Sequence, residues 1–177
     1  MSSRKEEFWT PVLTSGLIIG GMLVVADLIL STLLGKNAGV LFTVVTILGI
    51  YYSQLYFRNN HRGGFIGYGE ALRFGTFSMA AAGVLRGLYT AVIFKLKPEI
   101  WHEMILQAEE LYYNMGVSDA DIATMLEPVR GGVSPIIIVF SFVLGSMLSG
   151  LFYALITSIF IKRNNPNPFN DAMRDIE

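Results

Sequence analysis

The chain has 177 residues, of which 53% are hydrophobic and 15% charged, with a formal net charge of −1. A soluble domain carries roughly 25% charged residues; here the charged fraction is far lower, the apolar residues fall in long blocks and the mean hydropathy is +0.51, which together select a membrane protein. No overall basic field invites nucleic acid, and the absence of cysteine excludes disulfides, thiolate catalysis and cysteine-ligated metal.

Residues 1–10 are a short polar lead with Arg4, Lys5, Glu6 and Glu7, followed by Trp9 at the depth where an aromatic side chain lies among headgroups. The first apolar block, Pro11 to Leu34, is about twice the length of a signal-peptide core and lacks a small-x-small cleavage site. It reads as a retained spanning helix with proline in its first turn. Gly16 and Gly20 form a GxxxG face that permits close helix approach, and Asp27 is the only acid in the apolar run. Gly35, Lys36 and Asn37 form a tight turn, so the next helix, Ala38 to about Phe57, must run antiparallel to the first. Tyr51, Tyr52 and Tyr56 at its far end suit an interfacial belt.

A basic, glycine-containing loop from Arg58 to Gly64 follows, and 65–69 is expected to re-enter the interface. The third span runs from Glu70 to about Leu96. Glu70 and Arg73 are three apart on one helix face and can pair. Arg86 lies within the span, bracketed by Gly83 and Gly87. A guanidinium at bilayer depth costs roughly 3 kcal/mol or more unless it is paired or hydrated, so this helix needs an acceptor from a neighbour. Residues 98–130 are polar enough to lie outside the membrane. Ile100, Trp101, Met104, Ile105, Ala108, Leu111, Tyr112 and Met115 recur at helical spacing in one apolar stripe. Gly116 stops that helix, and Ser118 with Asp121 caps a shorter one ending at Pro128. This pair is expected on the membrane surface or over the mouth of the bundle. Ser134 and Pro135 open the fourth span, to about Ile161. There Ser141, Gly145 and Ser149 repeat every four residues, as do Ser146 and Gly150. Lys162 and Arg163 terminate this span, and the remaining Asn-Pro-Asn-Pro-Phe-Asn tail, in which Asn167-Pro168-Phe169 resembles an adaptor-binding motif, is expected to be disordered.

Four spans place both termini on one side, with Arg4, Lys5, Arg58, Arg62, Lys162, Arg163 and Arg174. The other side carries Lys36, Lys95, Lys97 and Arg130. The positive-inside rule then puts both termini in the cytoplasm. In this arrangement Asp27 sits about 10 Å and Arg86 about 13 Å below the outer ends of their spans, and a salt bridge between them is the sharpest expectation. It can be a register-fixing structural pair or a proton or anion site; alternatively Arg86 snorkels or meets a partner protein. Glu70, Arg73, His61, Arg58 and Arg62 form a candidate cluster at the cytoplasmic interface, with a solvated cluster as its plainer reading. His102 and Glu103 lack metal-ligand spacing; no metal, cofactor or catalytic constellation is expected.

The motif Tyr68-Gly69-Glu70-Ala71-Leu72-Arg73-Phe74-Gly75 leading into span three, Ser134-Pro135 opening span four and the long loop between those spans are similar to a family of small bacterial integral-membrane proteins, domain of unknown function 4199. The resemblance implies a bacterial inner-membrane protein with no catalytic residues to carry over, and an association with membrane glycosyltransferases of the polyprenyl-phosphate sugar type. The expectation is an all-α, polytopic four-helix bundle embedded in the lipid bilayer, with an extracytoplasmic amphipathic insertion. It acts as a non-catalytic accessory or scaffold subunit beside a membrane protein partner or a second copy. The alternative is a small oligomeric transporter or channel using Asp27 and Arg86.

Overall fold

Six helices account for the secondary structure of the computed structural model, which describes residues 3–34 and 38–164. α1 (Ser3–Leu34) begins a turn or more ahead of Pro11, so the proline lies inside the helix. There it removes one main-chain donor, a local cost that packing must offset. α2 (Ala38–His61) runs one turn beyond the expected end at Phe57. α3 (Tyr68–Leu96), α4 (Pro98–Asn114), α5 (Asp119–Arg130) and α6 (Pro135–Ile161) follow. α1, α2, α3 and α6 are each long and apolar enough to cross a membrane, which makes the chain a multi-pass membrane protein.

α3 is the shared wall of the bundle. It packs most extensively against α6 on one side and α1 on the other, while α2 closes the ring more loosely against α1 and α6. α1 and α6 do not touch among the described residues. Glycines set the close approaches. A Cβ on Gly16 would collide with Ala81, and one on Gly20 would stand 3.1 Å from the Ala82 carbonyl, so α1 lies almost backbone to backbone on α3. On the other wall a Cβ on Gly83 would meet the Phe142 carbonyl at 2.7 Å, and one on Gly87 the Val139 Cα at 2.7 Å.

Two apolar clusters fill the interior. One, near the α2 C-terminus, gathers Val12, Phe57, Ile66, Ala71, Phe74 and Ile161, with Phe57 and Phe74 stacked at 4.1 Å between centroids. The other, deeper in the bundle, gathers Ile19, Leu23, Ile50, Met79, Ala82 and Ala154. Residues 62–67 do not merely re-enter an interface. Ile66 and Arg163 exchange both main-chain hydrogen bonds at 3.0 Å, an isolated antiparallel bridge that ties the α2–α3 connection to the end of α6.

α4 and α5 form a helical hairpin with a core of their own. Ser118 Oγ accepts from the Asp121 N–H at 3.3 Å and donates to its carboxylate at 2.6 Å, and Gly116 takes a left-handed φ of +80° at the turn. Ile105, Ile122 and Leu126 are buried together, Trp101 Nε1 donates to the Val129 carbonyl at 3.0 Å, and Arg130 pairs with Glu109 at 2.6 Å. α5 runs to Arg130, with Pro128 inside its last turn. Among the described residues the hairpin meets the bundle through α3, where Phe94 lies 5.3 Å from Trp101. Met104, Leu111 and Met115 of the α4 stripe stay exposed. The turn at 35–37 and the tail from 165, including Asn167-Pro168-Phe169, lie outside the described residues.

Candidate functional site

The intramembrane charges are placed by the rotation of α1 and α3 about their axes. Ser78, Ala81, Ala82 and Leu85 form the line of α3 that receives Gly16 and Gly20. At seven-residue spacing this line continues from Ala82 to Tyr89. Asp27 follows Gly20 by the same interval, so it too turns toward α3. Its charge lies within electrostatic reach of both Arg86 and Tyr89, yet Asp27 and Arg86 do not form the expected contact. The ion pairs among the described residues are Arg62–Glu70 and Arg130–Glu109. Arg86 instead projects between α2 and α6, with its guanidinium carbon 4.6 Å from the Phe42 ring centroid and 5.4 Å from that of Phe142. Ring quadrupoles supply part of what a carboxylate was expected to supply. Asp27 stays exposed on α1.

At the opposite end the expected cluster assembles in part. Glu70 pairs with Arg62 at 2.6 Å rather than with Arg73, because the α2–α3 connection folds Arg62 back over the first turn of α3. The Arg62 guanidinium also lies 4.9 Å from the Phe57 ring, on which His61 stacks at 5.7 Å. Arg58 donates to the Ile161 carbonyl at 3.1 Å, capping the end of α6. Arg73 is exposed and, among the described residues, donates to the Gly69 carbonyl of its own helix, at 3.3 Å. These residues tie three helix ends together. Among the described residues no group of three potential ligands is placed to hold a metal ion.

The small-residue faces divide into used and unused. Gly16, Gly20, Gly83 and Gly87 are consumed inside the bundle, and on α6 the packing residues are Ser146 and Gly150, the latter closed by Met79. Ser141, Gly145 and Ser149, expected as a packing surface, are not part of this one: Ser141 and Gly145 are exposed, and a Cβ on Gly145 would meet nothing within 4 Å. The Ser149 hydroxyl is satisfied by the Gly145 carbonyl at 2.9 Å, so the stripe presents a smooth, shallow surface.

The buried polar centre was not anticipated. Gln54 is fully buried, and its Nε2 donates to the Ala71 carbonyl and to Ser158 Oγ, each at 3.0 Å. Its Oε1, with Ser78 Oγ and Thr157 Oγ1, has no partner among the described residues. The available signal is a lone amide in the second half of the apolar α2, among Tyr51, Tyr52 and Tyr56.

A helical bundle with four spans, a charged crossing segment and a stand-off helical hairpin defines a small polytopic membrane protein. Residues 14–163 match the family described as protein of unknown function (DUF4199), and the chain belongs to it. The chain matches no curated protein and no solved structure.

Proposed function

We propose that this chain is a non-catalytic accessory or scaffold subunit of a bacterial inner-membrane complex, with both termini in the cytoplasm. The orientation follows from the excess of Arg58, Arg62, Arg73, Lys162 and Arg163 at one end over Lys95, Lys97 and Arg130 at the other. The observation that carries the proposal is the outward stripe Ser141–Gly145–Ser149 on α6. A Cβ on any of Gly16, Gly20, Gly49, Gly75, Gly83, Gly87 and Gly150 would come within 4 Å of a neighbouring helix, whereas one on Gly145, at the centre of this stripe, would meet nothing. Small residues at four-residue spacing favour a second helix by letting backbones approach. The partner is a membrane protein, of which a polyprenyl-phosphate glycosyltransferase is the class suggested by the family resemblance; a second copy of the chain is the other occupant. The hairpin, with exposed Met104, Leu111 and Met115, then serves as an extracytoplasmic docking element. The chain lacks cysteine, so Gly145→Cys places a single thiol on the stripe for cross-linking in native membranes. A stoichiometric adduct with one membrane enzyme, identified by mass, is the expected result. A monomer in mild detergent with no adduct in membranes overturns the proposal.

A second reading, a small oligomeric transporter or channel, draws on Arg86. Among the described residues this guanidinium has ring neighbours but no hydrogen-bonded acceptor, so it retains capacity for an anion. Proteoliposome flux that falls on neutralising Asp27 or Arg86 favours transport. Flux no greater than that of empty vesicles removes it.

A further inference from the structure

A groove of about 710 Å³ opens between α1 and α2, on the side of the bundle away from α6. Its existence follows from small side chains: Thr14 and Ser15 of α1 face Gly49 and Ser53 of α2, and a Cβ on Gly49 would come no nearer than 3.6 Å to Ile19. The hydroxyls in the walls are turned back on their own helices. Thr14 Oγ1 donates to the Thr10 carbonyl at 2.9 Å and Ser53 Oγ to the Ile50 carbonyl at 2.8 Å. The groove therefore offers an apolar surface, completed by Ile18, Met22 and Leu48. Its polar groups collect at the α2 C-terminal end, where Thr10, Tyr56 and His61 line it.

We infer that this groove binds the acyl portion of an anionic membrane lipid, with the headgroup held at the α2 C-terminal end of the bundle. Two features choose this occupant over a protein helix. The first is length. From Thr10 to Met22 the α1 wall covers about 18 Å at 1.5 Å per residue, close to the ~15 Å of one leaflet of a ~30 Å hydrocarbon core, whereas a crossing helix needs a track through both leaflets. The second is charge. The end of the bundle at the groove's polar mouth carries Arg4, Lys5, Arg58, Arg62, Arg73, Lys162 and Arg163 against Glu6, Glu7 and Glu70, so a phosphate-bearing headgroup meets a field of opposite sign. The inference is independent of the accessory-subunit proposal, which rests on the far face of α6.

The test uses the full chain in vesicles of phosphatidylcholine and phosphatidylglycerol in equal parts, with a photoactivatable diazirine in the acyl chains of one lipid at a time. The phosphatidylglycerol probe is expected to label residues 10–22 and 48–61 several-fold more than the exposed face of α6, and several-fold more than the phosphatidylcholine probe does. Filling the groove with Ile18→Trp or Leu48→Trp, at positions 60% and 47% exposed, is expected to lower that labelling about tenfold, a 1.4 kcal/mol loss, without changing labelling on α6. Labelling spread evenly over all lipid-facing helices overturns the inference, as does equal labelling by the two lipids. A single cysteine, Ile18→Cys, that cross-links to a second copy or another protein also overturns it, because the groove is then a helix interface. The wild-type map needs no substitution, so a variant that fails to fold does not blunt the test.

Discussion

Gln54 Nε2 donates to Ser158 Oγ at 3.0 Å, a bond between α2 and α6 that joins residues far apart in sequence, both fully buried. α2 is the most loosely held span, and this amide also reaches the Ala71 carbonyl of α3. Gln54 is thus a polar pin through the point where three helices converge, and a Cβ on Gly75 would stand 2.7 Å from its Nε2. Interhelical hydrogen bonds within membranes average only about 0.6 kcal/mol, so most of its contribution is packing. Gln54→Met, which keeps the volume, is expected to cost less than about 1.5 kcal/mol. Gln54→Ala, which leaves a cavity and strips Ser158 of its donor, is expected to cost about 2–4 kcal/mol. Reversible unfolding in mixed detergent measures both. Equal costs would show that the hydrogen bonds dominate.

The two kinds of glycine predict opposite outcomes. Gly83→Leu drives a side chain into the Phe142 carbonyl and the Ser146 Cβ, and is expected to destabilise the isolated chain by about 1–3 kcal/mol or more. Gly145→Leu enters open space and is expected to change that stability by less than about 0.5 kcal/mol, while disrupting the helix association proposed for α6. A matched pair of melting curves in detergent separates the two. Similar losses would mean that the α6 stripe is covered within the chain.

Arg86 lies over Phe42 and Phe142 rather than against Asp27. Asp27→Asn is accordingly expected to cost less than about 0.5 kcal/mol, as for a side chain outside any packed network. Phe42→Leu removes one ring face and is expected to cost about 1 kcal/mol beyond its lost packing. Arg86→Met is expected to be neutral or stabilising, since an apolar side chain of similar length has no charge to desolvate. Stability in bilayers, followed by resistance to denaturant, decides the matter. A cost above about 2 kcal/mol for Asp27→Asn would show that the two charges close on one another.

At the other end Arg62 and Glu70 pair at 2.6 Å, but both side chains are partly exposed. Glu70→Gln is expected to cost less than about 1 kcal/mol, an effect that shrinks as salt is raised. Arg62→Ala is expected to cost more, because the guanidinium also covers Phe57. Parallel measurements in low and high salt test the ordering. A larger loss for Glu70→Gln would make the ion pair, not the ring contact, the anchor of this connection.

The sequence by itself determined the elements and their order. Four spans are legible because transfer of an apolar segment into lipid depends on its own composition and length, and the intervening polarity separates α4 and α5 in the same way. Ser118 with Asp121 and Gly116 mark local hydrogen-bonding and φ requirements that the chain meets without help from elsewhere. Gly16, Gly20, Gly83 and Gly87 likewise announced close packing. Tertiary structure alone decided which way each helix turns. Away from such glycines a span that is apolar on all sides contains little signal for its rotation, which is set by the close approach of Gly16 to Ala81 and of Gly83 to Phe142. That rotation sends Arg86 to two rings instead of Asp27, leaves Ser141 and Gly145 facing outward, buries Gln54 at a three-helix junction and opens the groove beside Gly49. It also brings Ile66 to Arg163, a main-chain bridge that no side-chain pattern encodes.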